Sequence, residues 1–125
     1  MLWAAGRARR PLARWDRVRG ALAWWAQVAN LADLATTFAN MAVGNREVGI
    51  VPALLIARGC PAAFVILALK AAAALTIWGL WRAAGASMRT SCGRIGILSG
   101  SGGMAVLAGI LTWVTMHNLA VLLAP

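Results

Sequence analysis

The chain has 125 residues, with 12 lysines and arginines against 3 acidic residues. Its formal charge is +9, yet it is 62% hydrophobic and only 12% charged, with a mean hydropathy of +0.76. An ordinary soluble domain is about 25% charged, so this composition excludes a water-soluble globule and makes lipid the expected solvent. At about 20 residues per crossing, three or four spans with short connections use up the length and leave no room for a large aqueous domain.

Residues 1–20 hold Arg7, Arg9, Arg10, Arg14, Arg17 and Arg19. Leu12, Trp15, Val18 and Leu22 share one side of a helix drawn through this stretch. The expectation is a short amphipathic juxtamembrane helix whose Arg10, Arg14 and Arg17 reach anionic lipid phosphates; a disordered basic tail is the plainer alternative. Arg9-Arg10 faintly resembles an export signal, but the apolar run that follows is too long for one and contains Asp33. The N-terminus is therefore expected to be retained. Nucleic acid is not an expected partner, because the arginines cluster beside apolar runs and do not form a stripe on a soluble face.

Three apolar segments follow, at about Ala21 to Val43, Pro61 to Arg82 and Met104 to Ala124, each close to the ~30 Å needed to cross a bilayer. Gly44-Asn45 closes the first, Gly59-Cys60-Pro61 opens the second, and Ser99-Gly100-Ser101-Gly102-Gly103 is expected to be a flexible entrance to the third. Between the first two, Ile50–Ala57 is too short to cross. With Pro52 near its start, it predicts a half-helix on the outer surface, a re-entrant piece, or a kinked extension of the second span. The expected fold is thus all-α and integral to the membrane. A basic segment over residues 1–20 precedes a three-helix transmembrane domain over residues 21–125, which carries a short extracytoplasmic half-helix.

Nine of the 12 basic residues lie before the first span or between the second and third, while only Arg46 and Arg58 lie in the other loop. Cytoplasmic loops hold the excess of lysine and arginine. The expected location is the cell's inner (cytoplasmic) membrane, with the N-terminus inside and the C-terminus outside. Trp24, Trp25, Trp78 and Trp81 then all fall near the inner boundary, where indoles prefer the headgroup level. Cys60 and Cys92 fall on opposite sides, which excludes a disulfide between them, and no zinc-type ligand spacing exists.

Asn30, Asp33, Thr37 and Asn40 recur at helical spacing and form one narrow stripe that must face protein. Ala23 and Ala26 continue this face and allow a neighbouring helix to approach closely. Lys70, the only lysine, stands in the second span with Ala63, Ala73 and Ala74. Asp33 and Lys70 both lie about 18 Å from the inner boundary at 1.5 Å per residue, so an ion pair is predicted, supported by Thr37 and Asn30. It either fixes the register of two helices or serves a proton or ion relay, for which Glu47 is the remaining titratable group on the outer side. In the third span Ser101, Ala105, Ala108, Thr112 and Thr115 form a small-residue packing face, with Asn118 within reach. His117 points the other way, with Val106, Ile110, Trp113 and Val121. Three roles are open for it: an interfacial side chain, a contact with another membrane subunit, or an axial ligand to haem or a chlorophyll-type pigment. Otherwise no cofactor and no metal are expected.

Asp33-Leu-Ala-Thr-Thr37, Gly44-Asn-Arg-Glu47, Pro52, Lys70 and Asn118 together resemble a family of small polytopic membrane proteins known only as a domain of unknown function. That family has an Asp-x-x-x-Thr helix, a Glu-x-Asn-Pro element and an intramembrane lysine. The likeness covers about residues 24–122. It departs from the pattern after Glu47, where Val48-Gly49-Ile50-Val51-Pro52 replaces the compact Glu-x-Asn-Pro. The resemblance implies that Asp33, Thr37, Glu47 and Lys70 form a structural unit, and it implies no reaction.

The leading functional expectation is a non-catalytic accessory or scaffold subunit of a larger membrane assembly, respiratory or photosynthetic in type. Its partners would be other membrane subunits and anionic lipids, and no soluble substrate is evident. The alternative is a small oligomeric transporter or channel in which Asp33 and Lys70 line a path between protomers. An intramembrane enzyme lacks its constellation: there is no paired nucleophile and base, and Ser99–Gly103 is not followed by the Lys-Ser/Thr of a phosphate loop.

Overall fold

The computed structural model describes residues 2–45, 50–91 and 93–125, with side chains described from residue 13 in the first stretch and from residue 52 in the second. Regular structure in these stretches is entirely helical: α1 spans Leu2–Ala42, α2 Ile50–Ala57, α3 Ala62–Ser87 and α4 Gly93–Leu123.

Two helices end in the same way. Gly44 takes φ +84° after α1, its amide donates to Met41 O (3.1 Å), and the Asn45 amide donates to Asn40 O (2.9 Å). After α2, Gly59 takes φ +92°, donating to Ile56 O (2.9 Å), while Cys60 donates to Leu55 O (3.2 Å). Both are left-handed glycine caps that satisfy two of the carbonyls orphaned at a helix end. Pro61 then caps α3 from an extended conformation. The break at Gly59–Pro61 makes α2 a separate short helix packed against α3, not an extension of it.

α1 makes its largest contact with α4, and α3 packs against both. Trp25 pairs with Thr112, Ala29 with Thr115 and Asp33 with Asn118, so α1 and α4 run in the same direction. Arg19 meets Trp81, Gln27 meets Ala74 and Asn30 meets Lys70, so α3 runs the opposite way. The shared core is small and built largely of alanine: Ala26, Ala29, Ile77, Ala108 and Leu111, with Ala23 and Leu107 packed against it. Such residues let helix axes approach closely. Ala63 and Ala105, expected on packing faces, lie outside that core and are both exposed; Val65 and Ile66 on α3 and Met104 on α4 are buried.

Two sequence expectations are corrected here. The helix does not break between residues 20 and 21. α1 is continuous from Leu2, and a lone glycine at position 20, preceded by an Asp16–Arg19 pair one turn apart, does not interrupt it. Within it Trp15 and Val18 are exposed, as are Arg14 and Arg17. Nor is Ser99–Gly103 a flexible entrance, because α4 already starts at Gly93 and runs through it. Gly100 is buried under α3, where a Cβ would come within 2.6 Å of the Ala84 Cβ. Glycines that would mark a loop in water here serve close helix contact.

Among the described residues, α3 and α4 are long and apolar enough to cross a membrane, with mean hydropathies of 2.0 and 1.8 over their best 18-residue windows. Only 17% of each window is buried within the fold, whereas the core helix of a soluble protein hides most of its apolar face. Trp24, Phe64, Leu75, Ile95 and Trp113 are each at least two-thirds exposed. The chain is therefore compatible with a membrane protein through these two helices. α1 is not apolar enough by the same measure, because Gln27, Asn30, Asp33, Thr36, Thr37 and Asn40 interrupt its apolar run.

Candidate functional site

The polar stripe of α1 sits where the three long helices meet. Asp33 is 3% exposed, and its carboxylate takes donors from all three: the Lys70 ammonium of α3 on Oδ2, Asn118 Nδ2 of α4 on Oδ1 (3.0 Å) and the Thr37 hydroxyl of α1 on Oδ1 (3.3 Å). The Asn118 amide also donates to Thr37 Oγ1 (3.2 Å). Its backbone carbonyl accepts from Asn40 Nδ2 (2.8 Å), and Asn40 Oδ1 in turn accepts from Asn45 Nδ2 (2.9 Å). Asn30 does not touch the charged groups; its amide donates to the Lys70 carbonyl (3.0 Å). Asn30, Asp33, Thr37, Asn40, Lys70 and Asn118 are thus brought together. Glu47, the seventh member expected, lies outside the described residues.

A buried carboxylate is strongly disfavoured unless it is paired and its remaining lone pairs are satisfied. Here one oxygen receives the ammonium and the other two neutral donors, so the charge is neutralised and its hydrogen bonding filled from within the chain. The atoms involved come from α1, α3 and α4, which makes the cluster a three-way clamp on helix position. Two buried polar atoms have no partner among the described residues: Asn30 Oδ1, next to the pair on α1, and Ser101 Oγ on α4.

A second cluster, not expected from the sequence, lies one end of the bundle away. Arg19, expected simply as part of the basic tail, is 8% exposed. Its guanidinium binds the Asp16 carboxylate, with Nε at 3.1 Å from Oδ1, donates to the Trp81 carbonyl, and lies 4.9 Å from the centre of the Trp81 ring. A Cβ on Gly85 would meet the Arg19 Nη1 at 2.7 Å, so the glycine makes room for the arginine. The Asp16–Arg19 spacing was the one available signal, since residues three apart on a helix are neighbours. Gln27 adds a further bridge from α1, donating to Ala74 O (3.0 Å).

Trp113 and His117 are both exposed on α4, Trp113 at 74%. Arg14 and Arg17 are exposed, and the side chain of Arg10 lies outside the described residues. Cys60 is an exposed free thiol, and residue 92 is not described. Among the described residues, no three metal-ligating groups converge.

No family model, no curated protein sequence and no solved structure matches the chain.

Proposed function

We propose that this chain is a non-catalytic accessory subunit held within the membrane part of a larger assembly. α1, α3 and α4 would each cross the bilayer, with the basic N-terminus cytoplasmic. The observation that supports this best is the inverted distribution of polarity. Asp33 and its partners are turned inward and satisfied by one another, while the outer surface carries many large apolar side chains, including Trp24, Phe64, Leu75 and Trp113. A chain with its polar groups consumed in packing has little left for chemistry and much surface for neighbours. The Trp113–His117 side of α4 is the surface offered to another subunit.

Extraction in mild detergent from the native membrane, followed by identification of co-migrating chains, tests this. A stable set of partners is expected, weakened by Trp113→Ala. A protein that runs alone as a monomer would sink the proposal. An absorption spectrum of the same preparation tests a haem or pigment on His117.

A second reading, a small oligomeric transporter or channel, draws on the polar line running along α1 from Asn40 to Gln27 and on Asn30 Oδ1 within it, which has no partner among the described residues. It requires ion or proton flux into reconstituted vesicles that Asp33→Asn abolishes. Silence across a panel of ions would leave the accessory role standing.

A further inference from the structure

Both described acidic side chains are paired within the chain, buried Asp33 with Lys70 and half-exposed Asp16 with Arg19. The exposed arginines of the described residues therefore have no acidic side chain among those residues to neutralise them, and an anionic partner from outside is called for. One of these arginines is held in a particular place. Arg82 lies over the Trp78 ring, 5.0 Å from its centre, and the same ring lines an open groove of about 370 Å³ between α1 and α3. Trp24, Trp78 and Trp81 wall the groove, and Gly20 and Ala23 leave it open along α1. At the end nearer the polar layer stands Gln27, whose amide is tied to Ala74 O. Arg19 is already matched by Asp16 and the Trp81 carbonyl, so the cation available beside the groove, on the Trp78 ring that lines it, is Arg82.

We propose that this groove is a binding site for one anionic phospholipid, with an acyl chain between the indoles and its phosphate on the Arg82 guanidinium. The pairing of an apolar slot with a fixed cation calls for an amphiphile carrying a negative head. A guanidinium suits phosphate because its planar fork can donate two parallel hydrogen bonds. From Gly20 to Gln27 the groove is about 10 Å long at 1.5 Å per residue, less than two turns of a partner helix and long enough for part of an acyl chain. Free phosphate would use Arg82 and ignore the three indoles. The proposal rests on the membrane reading above, and it assigns the lipid to a built site instead of to the exposed arginines of residues 1–20.

The full chain reconstituted in phosphatidylcholine vesicles, with small added amounts of chain-brominated phosphatidylglycerol or chain-brominated phosphatidylcholine, provides the test through quenching of tryptophan fluorescence. Half-maximal quenching is expected at an about fivefold lower mole fraction of the anionic lipid, the effect of one arginine near the surface. Arg82→Gln should abolish that preference, Arg89→Gln, which removes the same charge elsewhere, should retain it, and Ala23→Leu should reduce quenching by both lipids. Equal quenching by the two lipids, or a preference that survives Arg82→Gln, overturns the site. A preference lost in Arg14→Gln/Arg17→Gln but kept in Arg82→Gln also overturns it and moves selectivity to the tail. A chain that fails to float with either vesicle removes the membrane reading, and the lipid site with it.

Discussion

Asp33 and Lys70 form a pair, but their surroundings are unequal. Removing the carboxylate strands an ammonium inside the bundle and releases Asn118 and Thr37 as well; removing the ammonium leaves the carboxylate with those two donors. Asp33→Ala is therefore expected to cost about 3–5 kcal/mol, the usual effect of breaking a buried pair, and Lys70→Met somewhat less. The double variant Asp33→Ala/Lys70→Met should cost less than the sum of the two single changes. Reversible unfolding in mixed micelles measures all three, and strict additivity would show that the two groups do not act together. Thr115→Val should barely register, because intramembrane hydrogen bonds average about 0.6 kcal/mol and this hydroxyl also has Leu111 O of its own helix at 2.8 Å. The meeting of positions 33 and 70 could be read from sequence because equal distances from the basic flanks set equal depth. The burial of Arg19 could not, since it depends on α1 continuing through Gly20 and on α3 carrying a glycine at 85.

At the level of helices, glycine has opposite meanings at different positions. Gly100 sits where α4 crosses Ala84 of α3, while a methyl added at Gly102 would meet nothing within 4 Å. Gly100→Leu should therefore separate the two helices and lower the thermal midpoint in detergent. Gly102→Ala should be neutral or raise stability by up to ~1 kcal/mol through helix propensity. If both variants behave alike, the close crossing is not what Gly100 provides. Gly44→Ala belongs with the harmful class for a different reason: its φ of +84° costs an L-residue about 1–2 kcal/mol. Both breaks were legible in the sequence, Gly44-Asn45 as the end of the first span and Gly59-Cys60-Pro61 as the opening of the second, because glycine and proline interrupt helices. Ser99–Gly103 was not, because that composition signals a loop only when water can solvate the backbone, and packing against α3 removes that condition.

For the molecule as a whole, the arrangement of α1 and α4 side by side with α3 running back agrees with three proposed crossings and a basic turn between α3 and α4. Reporter fusions test it. Alkaline phosphatase joined after Pro125 should be active, and the same enzyme joined within residues 88–91 should be silent. The reverse pattern would invert the orientation, and activity at both points would mean that α4 does not cross. Composition and the pattern of arginines were enough to suggest this layout, because they depend on solvent and charge and not on contacts. Which faces meet was less accessible: of the small residues expected to pack, Ala108 is buried while Ala63 and Ala105 are exposed, and with so many alanines the composition of a face does not single it out.

The partners of Asp33 have a consequence for how the protein is made. Thr37 comes four positions later, but Lys70 and Asn118 are supplied 37 and 85 positions later in the chain, so a ribosome delivers the acid long before the ammonium that neutralises it. On the proposed topology, the first helix would enter the bilayer poorly by itself and would linger at the insertion machinery until Lys70 and then Asn118 emerged. Chains truncated before residue 70 and released should therefore be extractable by alkaline carbonate, and the released full chain should not.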